Sequence, residues 1–61
     1  MIYNNGDVVI FKFTKTTKET HSGIIVSGWT VNKRRVYEIA SMNHGMCNFT
    51  IGEGCILKKI G

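Results

Sequence analysis

Proline is absent from this sequence, and so are repeats, low-complexity segments and linkers, so nothing divides its 61 residues into more than one domain. No apolar run is long enough to span a bilayer, and the start lacks a basic region followed by an apolar one. A membrane span or secretory signal is therefore not expected, and cytoplasm is the default compartment. Aspartate occurs once, as Asp7, and Glu19, Glu38 and Glu53 are scattered, so no pair of carboxylates suggests general acid–base chemistry. The two cysteines, Cys47 and Cys55, read as reduced thiols rather than a disulfide in a chain without a secretory signal. No stretch carries apolar residues at helical period over about ten positions, so helices are not expected.

What is present suits a small folded β-protein. The chain starts at Met1 and reads as a complete small protein near the lower size limit for folding without metal or disulfide. A domain of this length buries only ~60% of its unfolded surface, so each large apolar residue counts. Hydrophobic residues make up 43% of the chain, which argues against disorder. Eight Lys and Arg against four Asp and Glu give a formal charge of +4, which favours polyanionic partners or simply keeps a small β-protein soluble.

The chain is organised around the stretch from Gly23 to Ser41. Two runs rich in β-branched and aromatic residues flank the polar Thr-Val-Asn-Lys-Arg segment, which predicts an antiparallel hairpin. Strands are expected over residues 7–14, 21–29, 35–41, 46–51 and 55–60. Lys12 sets the parity of the first, with Val9, Phe11 and Phe13 inward and Val8, Ile10 and Lys12 outward. Gly23 and Gly28 suggest a bulge or bend in the second. In the third, Tyr37 and Ile39 share one face, and Val36, Glu38 and Ala40 the other. In the fourth, Cys47, Phe49 and Ile51 share a face. Residues 14–20 read as a mobile polar loop, residues 42–45 as a short turn, and Gly52-Glu53-Gly54 as a single tight turn. Five short strands with abrupt connections predict an all-β fold, a strongly bent antiparallel sheet that hides its edges by closing into a barrel.

Gly6-Asp7-Val8-Val9-Ile10-Phe11 resembles the Gly-Asp-x-Val opening strand of SH3-like β-barrels. The Gly-Ile-Ile-Val of the second strand, the third strand with Tyr37 and Ile39, and the final Leu-Lys-Lys-Ile strand are similar to theirs. The resemblance covers nearly the whole chain and is generic to an architecture that includes KOW, Tudor and Sm-like barrels and many small phage and mobile-element proteins. It implies a fold and a style of binding rather than one activity. The tight Val-x-x-Gly pattern of KOW motifs, the Gly and Asn signatures of Sm motifs and the Ala-Leu-Tyr-Asp-Tyr motif of eukaryotic SH3 domains are not found, so binding of proline-rich ligands is unsupported.

Lys33, Arg34 and Arg35 form the leading candidate site, with Trp29 before them and Tyr37 after. Cations neutralise phosphates and aromatic faces stack on unpaired bases, so the cluster predicts contact with nucleic acid. Lys12, Lys58 and Lys59, with Lys15 and Lys18, extend that field if the fold gathers them. The competing reading makes the cluster a solvated turn and puts Trp29 and Tyr37 in the core. Outward Val8 and Ile10, with Val26, Val36 and Ala40, suggest instead a protein-interaction surface. That surface would suit an adaptor or inhibitor of the phage-effector kind docking on a host protein, or a homodimer. His21, His44, Cys47 and Cys55 could supply metal ligands, but only His44 and Cys47 stand close in sequence, so no metal or other cofactor is expected. A Cys47–His44 nucleophile and base three residues apart around a turn would rarely align, and a barrel this small has little room for a water-excluding pocket. The expectation is a non-enzymatic binding module.

Overall fold

The computed structural model describes residues 2–41 and 47–60. Five strands are formed: β1 (Val8–Phe11), β2 (His21–Val31), β3 (Arg34–Ser41), β4 (Asn48–Gly52) and β5 (Ile56–Lys59). They make one antiparallel sheet in the order β4-β3-β2-β1-β5. The expected turn at residues 42–45 lies outside the described residues, as do His44 and the start of the expected fourth strand.

Period-two alternation sets the two faces. The register places Val9 opposite Gly23, Ile25 opposite Ile39, Tyr37 opposite Ile51 and Phe11 opposite Ile56. These inward residues, with Tyr3 from the N-terminal segment, form the core, and Phe13, Phe49 and Cys55 pack against it. Thus the expected inward parity of Val9 and Phe11, and the faces assigned to β3, hold. Tyr3 is tied in by its backbone N–H, which donates to the Tyr37 hydroxyl at 3.0 Å, and by edge-on packing of the two rings at 5.5 Å.

Connectivity forces the sheet to bend. β4 and β5 are its two edges, yet they are joined only by a single 3-10 turn, Glu53–Cys55. Five strands laid flat at ~4.8 Å spacing would hold the edges about 19 Å apart, whereas three residues of 3-10 turn advance about 6 Å. The turn is pinned to the far end of β1, where the Lys12 N–H donates to the Cys55 carbonyl at 2.9 Å. Gly23 provides close approach within the bend: a Cβ there would collide with Ile39 Cγ2 and stand 2.8 Å from the Ala40 carbonyl oxygen. A bulge between Ile25 and Ser27 adds local twist, and Val26 is left exposed.

Four expectations are corrected. The sheet is strongly bent but not a closed barrel, because no ladder joins β4 to β5 among the described residues. β2 runs on to Val31, two residues past Trp29, because it pairs with β3 right up to the hairpin turn. Cys55 lies in the 3-10 turn and not in a strand. β1 spans only Val8–Phe11 rather than residues 7–14, and in the loop after it Thr14 Oγ1 accepts from the Thr17 N–H at 3.2 Å.

Candidate anion-binding pocket

The β2–β3 hairpin supplies most of the site. Its strands pair from Gly23↔Ser41 to Val31↔Arg34, so only Asn32 and Lys33 remain as the loop. Both have positive φ, 51° and 66°, as a two-residue type I′ connection requires. Asparagine tolerates that conformation; lysine ordinarily does not, and glycine is the favoured second residue. The turn therefore holds a cation where backbone preference disfavours one.

Arg35 shares the parity of Tyr37, and its guanidinium carbon stands 5.7 Å from the centre of that ring, within cation–π range. Its Nε is buried and has no hydrogen-bond partner. The opposite wall comes from the β4–β5 connection. The β3–β4 register puts Gly52 opposite Val36, which carries the Glu53–Cys55 turn alongside the base of the hairpin tip. Lys15 reaches the same place from the loop after β1. A Cβ on Gly54 would stand 2.9 Å from Lys15 Cε and 3.3 Å from Nζ, so glycine there leaves room for the lysine to lie across the turn.

The result is a half-open concavity of about 520 Å³. Lys15, Lys33, Arg34 and Arg35 line it together with Val36 and the 52–55 segment, in which Glu53 is the carboxylate. Its lining suits binding: four cations are interleaved with the apolar side chains of Val36 and Cys55. Trp29 is 38% exposed and sits directly opposite Val36 in the β2–β3 ladder, next to the pocket's apolar wall.

The candidate nucleic-acid residues are thus partly gathered and partly dispersed. Lys33, Arg34 and Arg35 converge, and Trp29 stays accessible beside them. Tyr37 must be corrected: it is 0% exposed in the core, so its ring cannot stack on a base, and it acts only as the platform beneath Arg35. Lys12, Lys58 and Lys59 do not line the pocket. Lys58 pairs with Ile10 on the outer face, and Lys59 Nζ lies 3.6 Å from the Asp7 carboxylate. Sequence reasoning gave Lys15 only a secondary place and missed the 52–55 wall. The signal for that wall lay in the β3–β4 register, which a single sequence does not carry.

Val8 and Ile10 face outward as expected but are half-buried rather than fully exposed. The register sets Val8, Ile24 and Ala40 side by side across three strands, so neighbours on the outer face partly cover one another. Among the described residues no group of three or more His, Cys, Asp or Glu side chains could hold a metal ion. His21 is buried against Phe13, with ring centres 4.5 Å apart. Cys47 and Cys55 are both free thiols. Among the described residues no helix is long and apolar enough to cross a membrane.

Comparison with known proteins places no family on the chain: no family description matches it, and neither a curated protein nor a solved structure is detectably similar.

Proposed function

We propose that this protein is a non-enzymatic binding module whose open, bent sheet is a variant of the SH3-like architecture, and that it contacts nucleic acid through the tip of its β2–β3 hairpin. One observation carries the reading: Lys15, Lys33, Arg34 and Arg35 line a single concavity in which Glu53 is the one carboxylate. Like charges brought this close repel one another, which favours an anionic ligand between them. The unfavourable backbone of Lys33 supports the same view, since local strain kept at a charged position is a common mark of function. Trp29 offers the stacking surface that Tyr37 does not. Free thiols at Cys47 and Cys55 fit a reducing compartment such as the cytoplasm.

Fluorescence anisotropy of labelled single- and double-stranded oligonucleotides at two salt concentrations tests this. Binding should weaken with salt, and weaken at least about tenfold when Lys33, Arg34 and Arg35 are all changed to Gln. Absence of binding at low salt would overturn the reading.

The outer face supports a second reading, a protein-interaction module. The Val8–Ile24–Ala40 row lies on the same side as Ile10, Trp29 and Val36, and Val26 and Val31 add exposed apolar surface. Docking on another protein, or dimerisation through this face, would cover it. Changing Val8 and Ile10 to Thr separates the two readings, since it should abolish protein association and leave oligonucleotide affinity intact.

A further inference from the structure

The cations of this chain are concentrated, not strung along a track. Of its eight Lys and Arg, four line one pocket. Lys59 is matched to Asp7, Lys58 lies on the outer face beside Ile10, and Lys12 and Lys18 lie outside the lining. A strand of phosphodiesters with one charge each calls for a continuing groove. A pocket of about 520 Å³ lined by four cations and a single carboxylate, Glu53, matches a compact anion of higher charge, within the size range of sites for small ligands. A phosphomonoester has that charge, about −1.5 to −2 at neutral pH. The apolar strip of Val36 and Cys55 leaves a surface for the attached sugar or base.

Arg35 supplies the specific element. Its Nε–H is buried without an acceptor, while its guanidinium lies over the Tyr37 ring. A guanidinium that turns toward the pocket can chelate an oxyanion side-on through Nε and one terminal nitrogen, which satisfies the orphaned donor. We propose that this pocket is a subsite for one phosphomonoester-bearing nucleotide, either the phosphorylated end of an oligonucleotide or a free mononucleotide, with Arg35 as its chelating group and Lys15 closing over it. The proposal rests on the nucleic-acid reading above and narrows it to a chain end.

The test compares short oligothymidylates, internally labelled and alike except for a 5′-phosphate, a 3′-phosphate or hydroxyls at both ends. Adenosine 5′-monophosphate and adenosine are titrated calorimetrically alongside. A phosphorylated end should bind at least about tenfold tighter than the hydroxyl-ended strand, the scale of one charge-assisted chelate. The monophosphate should give heat where adenosine gives none. Arg35→Lys keeps the charge but not the planar fork, so it should abolish the end preference. Lys15→Gln, on the exposed loop, should reduce the preference without touching the core. Equal affinity for all three ends with no monophosphate heat overturns the subsite and leaves the nucleic-acid reading standing. Absence of binding by every probe overturns both. Binding of the monophosphate alone keeps the subsite and removes the polymer. Full end preference in a folded Arg35→Lys protein overturns the chelation.

Discussion

At the scale of single residues, Lys33 shows how stability and charge compete in this chain. Its φ of 66° places it where an L-residue pays a steric penalty and glycine does not. Lys33→Gly should stabilise the fold by about 1 kcal/mol, read as a rise in denaturation midpoint, while weakening oligonucleotide binding because one of the four lining cations is gone. A variant that gains stability and keeps full affinity would detach the strain from the site. Tyr37 works in the opposite sense. Its hydroxyl accepts from the Tyr3 N–H inside the core, so Tyr37→Phe strands a buried donor and should cost about 1–3 kcal/mol in chemical denaturation. The aromatic flanking the basic cluster was visible in the sequence, but not which of Trp29 and Tyr37 was buried. A period-two pattern gives relative parity along one strand, and only pairing with β2 and β4 fixes which side is the core.

At the scale of elements, legibility followed chemistry that is local. Lys12 was enough to orient β1, and Asn-Lys-Arg between two β-rich runs was enough to place the hairpin. Strand ends were less legible, because β2 continues past Trp29 to Val31 only by virtue of its partner β3. Closure was misjudged for a related reason. A barrel requires the last strand to meet a particular neighbour, and the three-residue turn brings β4 and β5 near without aligning a ladder. Gly23 is where the bend is most sensitive. A methyl group there meets Ile39 and the Ala40 carbonyl, backbone that cannot swing aside. Gly23→Ala should therefore destabilise by about 1–3 kcal/mol or more, seen as an early thermal transition, and would part β2 from β3 at the Gly23–Ser41 end of their ladder. A neutral effect would mean that the two strands separate there at little cost.

At the scale of the whole molecule, charge can be counted. If the four lining cations each neutralise one phosphate of a single strand, log K against log salt should fall with a slope of about −3. Changing Lys33, Arg34 and Arg35 to Gln should flatten that slope to near −1, and an unchanged slope would place the contacts elsewhere. The +4 balance was legible from composition, but its division between one pocket and the rest of the surface was not, since Lys15 and Arg35 are distant in sequence.

That division gives the remaining lysines a different role. β5 is an edge strand of four residues with an apolar partner in exposed Leu57, and it ends in the exposed pair Lys58 and Lys59. Bare edges recruit further strands, and lysines along them impose repulsion between copies. An open, bent sheet of this kind would otherwise be a template for its own polymerisation. Lys58→Thr with Lys59→Thr should leave oligonucleotide affinity nearly unchanged yet let concentrated protein form thioflavin-positive fibrils. Four of the eight cations then recruit a partner, and two more, Lys58 and Lys59, keep the molecule a solitary one.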